Sequence, residues 1–336
     1  MTTTTAVRRY VVDDGVALTA DVGGDSSAPA VILSHGGGQT RHSWGTAMAR
    51  LLADGYQVID VDARGHGDSD WSPIGDYRIE RLAADLQTIA ATLASPPALV
   101  GAASLIAAAE PNAASALVLV DVVPRLNPEG AERIIAFMRA RPDGSQRSMR
   151  WQTRSPSYYP QRRRPRDPSG LMKNLRKRAD GRLHWHWDPA FVRNSQVVSE
   201  PPRFTERLYE AAARVQVPTL LVRGLESDIV SEDSVAEFRT YLPALEVCDV
   251  AAAGHMVAGD RNDAFTTAWP TSCAGTCRDP ERLVETLSDH PGTPARAASG
   301  RIDPADSHEK GRDRQPVAPL SRRACVSRLQ LIAKPS

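Results

Sequence analysis

Ala98-Leu99-Val100-Gly101-Ala102-Ala103-Ser104-Leu105-Ile106-Ala107-Ala108-Ala109 is the stretch on which the reading of this chain turns. Three apolar residues, then small ones, then an alanine-rich run are what a buried strand needs to turn sharply into a helix, because small side chains let the two backbones approach. In a Gly-x-Ser-x-Gly turn the serine stands at the tip. Counted from Gly101, the tip falls on Ala103, which has no nucleophilic atom. Counted from Ser104, the flanking positions become Ala102, which is small, and Ile106, whose β-branch crowds a turn where glycine normally gives room. Two readings stand: the nucleophile is missing, or it is Ser104 in an irregular turn.

Upstream of this stretch, strands and helices alternate. Tyr10 to Val22 reads as two short strands joined at Asp13-Asp14-Gly15, a hairpin signal between β-formers. Ala30-Val31-Ile32-Leu33-Ser34 is a wholly apolar strand of the kind buried on both faces of a parallel sheet, and it discharges into His35-Gly36-Gly37-Gly38. Three glycines behind such a strand favour backbone that lies close to a ligand and offers N–H groups to it. Ser43–Leu52 has helical spacing, and Gln57–Val61 is another buried strand ending in Asp62-Ala63-Arg64-Gly65-His66-Gly67-Asp68-Ser69. Tyr77–Leu93 is an amphipathic helix with Ile79, Leu82, Leu86, Ile89 and Leu93 on one face.

Downstream, Ala116–Asp121 is a buried strand. It leaves space for only about two helical turns from Leu105 to Glu110 before Pro111 interrupts. Asn127 to Arg139 is a helix, and Leu171 to Lys177 has helical character. Between them, Gly144–Arg166 is rich in arginine, serine and proline, with Ser145–Pro156 lacking any apolar period; the arginines 162–164 and 166 read as an exposed cap segment rather than a phosphate patch. Leu183-His184-Trp185-His186-Trp187-Asp188-Pro189-Ala190-Phe191 places Trp185, Trp187 and Phe191 as an apolar roof or cap core. Phe204–Val215 is a helix, Val217–Gly224 a strand, Ser234–Tyr241 a helix and Leu245–Val250 a strand. The pattern predicts an α/β fold with a doubly wound, mostly parallel sheet, an inserted helical cap and a disordered tail. The expected division is core over 1–124, cap over 125–203, core again over 204–269, and tail over 270–336.

The 336 residues suffice for a sizeable core, and 41 basic against 40 acidic side chains leave a formal net charge of +1. Neither nucleic acid nor an acidic membrane is called for, so the expected partner is a small molecule. No apolar run reaches the roughly 18 residues of a membrane span, and the N-terminal residues lack a secretory core, so a cytoplasmic protein is expected. Cys248, Cys273, Cys277 and Cys325 have no histidine pair nearby to complete a metal site and read as free thiols; no metal or cofactor is expected. Nothing in the sequence sets the oligomeric state.

The succession of His35-Gly36-Gly37-Gly38, the Asp62–Ser69 loop and a strand ending near Gly101 resembles the α/β-hydrolase superfamily, most closely its cofactor-free haloperoxidase-like esterase and epoxide-hydrolase-like branch. That resemblance implies Asp228, after the first of the last two strands, and His255, after the second, as acid and base beside Ser104 as nucleophile. It implies Gly37 and Leu105 as the oxyanion-hole donors, with Trp185, Trp187 and Met256 as pocket candidates. The implied activity is hydrolysis of a small ester or acyl substrate, with perhydrolase (haloperoxidase-like) side activity on the same metal-free triad. Its counterpart is an impaired enzyme or small-ligand-binding protein of the same fold. The family's longer helix with its glycine pair does not follow Gly101 here. The irregular elbow, the 145–156 segment and the tail together suggest a copy altered by deletion or frame shift, which the gene's nucleotide sequence tests.

Overall fold

The computed structural model describes residues 5–139, 175–194, 196–251 and 253–254. The expectations for 145–156, for the arginines of 162–166, for the tail 270–336, and for His255, Met256, Cys273, Cys277 and Cys325 lie outside the described residues.

An eight-stranded sheet carries the fold. Its strands are β1 (Ala6–Val11), β2 (Ala17–Gly23), β3 (Ala30–Ser34), β4 (Gln57–Val61), β5 (Ala98–Val100), β6 (Ala116–Val120), β9 (Thr219–Gly224) and β10 (Glu246–Val250), in the spatial order β1-β2-β4-β3-β5-β6-β9-β10. β1 and β2 form the antiparallel hairpin expected around Asp13-Asp14-Gly15, where Gly15 supplies a φ of +82°. β2 also runs antiparallel to β4, and all other neighbours are parallel.

The inner parallel strands are mainly apolar on both faces because helices cover both. Side chains alternate between two layers with the period of two that a strand imposes. Ile32, Ile59, Leu99, Leu117 and Leu221 pack on one side with α2 (Ile79–Ala90), α3 (Ser104–Ala108), α7 (Pro201–Arg214) and α8 (Glu232–Tyr241). Val31, Val58, Val100, Val118 and Leu220 pack on the other with α1 (Gly45–Ala53) and Trp44, the last residue of a 3-10 turn over Arg41–Trp44. Among the described residues no helix is long and apolar enough to cross a membrane.

Between β6 and β9 lie α4 (Pro128–Arg139), a two-stranded hairpin of β7 (Leu175–Lys177) and β8 (Leu183–Trp185), α5 (Pro189–Arg193) and α6 (Gln196–Ser199). Here the sequence reading needs correction, because Leu175–Lys177 is a strand rather than the end of a helix. Asp180-Gly181, with Gly181 at φ +74°, closes a tight turn, and a strand of three residues is too short for its period to declare itself.

Candidate functional site

β3 lies between β4 and β5, where the order of the sheet reverses, so the loops leaving β3 and β5 part and open a crevice at their carboxyl ends. The β5 side of the crevice is Gly101-Ala102-Ala103. Gly101 has φ +122°, and a Cβ there would stand 2.2 Å from the Ser34 carbonyl oxygen, so the two strand ends meet only because this residue is glycine. Ala103 is relaxed, with φ −66° and ψ −18°, and lacks the strained conformation of a nucleophile-bearing turn.

Ser104 opens α3, a helix of five residues. It is fully buried, its Oγ has no hydrogen-bond partner among the described residues, and it does not line the crevice. Leu105 does line it, but its N–H is turned to the Ala102 carbonyl at 3.3 Å. Ala103, at the expected tip, also lines the crevice.

Three imidazoles brace the β3 side. His35 accepts the Ala63 N–H at Nε2 (3.0 Å) and donates from Nδ1 to the Gly36 carbonyl (2.8 Å). His66 accepts the Gly38 N–H at Nε2 (3.1 Å), with Nδ1 3.1 Å from the Arg64 carbonyl. His186, contributed by the segment after β8, accepts the Gly67 N–H at Nδ1 (2.8 Å). The rings run in a row, with centroids 5.2 Å apart from His35 to His66 and 5.7 Å from His66 to His186. Each must be neutral to accept an N–H, and burial enforces that. It lowers the pKa of His35, pushes His66 well below the usual value with help from its two neighbours, and pushes His186 down to about 3. The Asp62–Ser69 loop has its own anchor in Arg64, wholly buried and bidentate to Asp85 at 2.6 and 2.7 Å, with Asp14 at 2.8 Å.

Asp228 lies in the loop after β9, as expected. Its carboxylate is exposed, bonded to the Arg133 guanidinium of α4, and does not line the crevice. Asp121, read from the sequence only as the end of a strand, does line it. Asp121 has a left-handed φ of +49°, is fully buried, and accepts the Gly224 N–H at 3.0 Å and the Ser227 hydroxyl at 2.6 Å. It therefore ties the end of β6 to the loop that carries Asp228. An acidic residue directly after an apolar parallel strand was the only signal for it in the sequence.

Above the crevice, Trp185 and Trp187 stack at 4.5 Å with 13° between their planes. They form the core of the β8–α5 segment with Met138 and Val192, and neither lines the crevice. Phe191 and Met138 provide that lining instead. A Cβ on Gly37 would stand 3.2 Å from the Phe191 ring, so the glycine loop and the roof are in contact. Asp188 caps α5 by accepting the Ala190 N–H, and accepts the Tyr77 hydroxyl at 2.6 Å, which fixes the roof to the core.

The crevice holds a cavity of about 270 Å³. Gly36, Gly37, Gln39 and Ser34 lie at the glycine loop, while Leu86, Leu119 and Leu208 belong to the layer beneath. Of the expected site residues, the cavity brings Gly37 and Leu105 together and leaves Ser104 and Asp228 outside. Among the described residues no group of three or more His, Cys, Asp or Glu side chains is arranged to hold a metal ion.

The sequence pattern of the alpha/beta hydrolase family matches residues 31–268. The chain is 28% identical over 255 residues to an esterase of Mycobacterium tuberculosis, covering 70% of this chain and 79% of that one. It is 28% identical over 256 residues to a 3-hydroxybutyrate-oligomer hydrolase of Cupriavidus necator, covering 68% and 85%. The crystal structure of an E-2-(acetamidomethylene)succinate hydrolase superposes with a TM-score of 0.64 at 25% identity, over 78% of this chain and 98% of that one.

Proposed function

The chain belongs to the alpha/beta hydrolase family, and on that premise we propose that it holds a small ester or acyl molecule in the family's pocket without turning it over through Ser104. The observation that carries this reading is the tip of the β5–α3 turn: Ala103 faces the cavity, whereas the Ser104 hydroxyl is enclosed and has no partner among the described residues. A nucleophile has to reach the carbonyl it attacks, and triad members act as a unit, so losing the nucleophile costs on the order of a million-fold in kcat. In this reading residues 125–203 form the cap that roofs the ligand, and the glycine loop with Gly37 supplies its polar contacts.

A second reading keeps Ser104 as nucleophile, His255 as base, Asp228 as the acid that orients it, and Gly37 and Leu105 as oxyanion donors, with perhydrolysis as a side reaction. What favours it is the hydrolase activity named for the relatives, together with the position of Asp228 after β9. A fluorophosphonate probe, which captures activated serines, separates the two. The expected result is no labelling of protein whose fold is verified by circular dichroism. Labelling that disappears in Ser104→Ala would establish the serine hydrolase instead.

A further inference from the structure

The composition of the cavity narrows the choice of ligand, given the ligand-holding function proposed for this chain. Among the described lining residues there is no lysine and no arginine. Two carboxylates line it, and both are engaged: Asp85 is held by Arg64, and Asp121 by the Gly224 N–H and the Ser227 hydroxyl. The imidazoles of His35 and His66 already serve as acceptors for backbone N–H groups. A carboxylate ligand would therefore find no cation free to receive it among the described lining residues, since the nearby Arg64 is already paired with Asp85, and would lie beside the Asp121 carboxylate at a net desolvation cost.

The shape derives from the short turn at Gly101. With Ala102 and Ala103 at the tip and α3 only five residues long, no side chain of the described residues fills the space between the glycine loop and the layer where α3 packs on α2 and α7. That space is walled by Leu86 of α2, Leu105 of α3, Leu119 of β6 and Leu208 of α7. It leads from polar groups at one end into aliphatic side chains. An apolar cavity of about 150 Å³ accommodates benzene.

We infer that the 270 Å³ cavity takes an uncharged, unbranched molecule of on the order of ten carbon atoms, a medium-chain alkyl ester or lactone, with its polar group at Ser34, Gly37 and Gln39 and its chain running under the turn toward α2 and α7. The space beneath the five-residue α3 serves as the acyl site.

Binding to the whole chain is measured by titration calorimetry with methyl acetate, methyl butanoate, methyl hexanoate, methyl octanoate, methyl decanoate and sodium octanoate. Affinity rises about fourfold per added methylene up to methyl octanoate or decanoate, since each buried methylene contributes about 0.8 kcal/mol. Octanoate binds at least tenfold more weakly than its methyl ester. Ala103→Leu, which projects into the space, weakens methyl decanoate at least tenfold and leaves methyl butanoate within twofold. If that variant does not fold, the length and charge series on the unaltered chain still decides. Affinity independent of chain length, or octanoate binding as tightly as its ester, overturns this inference while leaving the ligand-holding function intact. That function falls separately, through labelling of Ser104.

Discussion

The carboxylate of Asp228 is bonded to the guanidinium of Arg133 on α4, so the acid expected to orient a catalytic base is held at the surface by a helix of the insertion. Both side chains are close to half exposed, and an ion pair so placed contributes under about 1 kcal/mol because water and salt screen it. Asp228→Ala should therefore shift stability in urea denaturation by less than about 1 kcal/mol and leave ester binding unchanged. A loss of binding would place Asp228 in the site after all.

Ala103 suggests a direct attempt at restoring chemistry. A serine there would face the cavity, yet the backbone at this position is an ordinary right-handed turn without the strain that presents a nucleophile. Leu105, moreover, spends its N–H on Ala102. Ala103→Ser is expected to fold and to give no hydrolysis of p-nitrophenyl butyrate above the unaltered chain. Appearance of burst kinetics would show that the oxyanion donors are correctly set.

Asp121 carries more structural weight than its place at a strand end suggests. Removing its carboxylate takes the acceptor from the buried Gly224 N–H and from the half-buried Ser227 hydroxyl, and forces a residue less suited to the left-handed conformation into φ +49°. Asp121→Ala is expected to cost about 2–4 kcal/mol in urea denaturation, with Asp121→Asn costing less because it tolerates that conformation and keeps one acceptor oxygen.

The row of histidines sets a pH dependence whose sign is fixed. An imidazole in the unfolded chain titrates near about 6.5, whereas burial holds His186 at about 3 and lowers His35 and His66 as well. The unfolded chain binds more protons at His186 between these two values, so that stabilisation is full above about pH 6.5 and falls as the pH drops toward 3, by up to about 1.4 kcal/mol per unit, and the lowered His35 and His66 act in the same direction. Urea midpoints measured at pH 7.5, 6.0 and 5.0 should fall in that order. His186→Asn, which keeps an acceptor for the Gly67 N–H but does not titrate, should flatten the decline.

Much of the sheet was readable in advance for one physical reason. Strands such as Ala30–Ser34 and Ala116–Val120 are buried on both faces, so nearly all their residues are apolar, and such runs bounded by glycine-bearing loops stand out. The Leu175–Lys177 strand did not stand out, because it is short and its partner on β8 is recognised through the Asp180-Gly181 turn rather than through any period. The bracing role of His186 was not readable at all. It accepts an N–H from Gly67, 119 positions earlier in the chain, and only the folded path brings the two together.

The sequence by itself determined the layered α/β architecture and the small residues and glycine-rich loops that follow its strands, since burial and backbone geometry dictate residue types locally. The tertiary structure alone decided that Ser104 is enclosed, that Asp228 pairs with Arg133 and that a cavity opens beneath the turn. The direction of a side chain on a five-residue helix is set by what packs against it, here α2 and α7, and that packing is assembled from segments far apart in the chain.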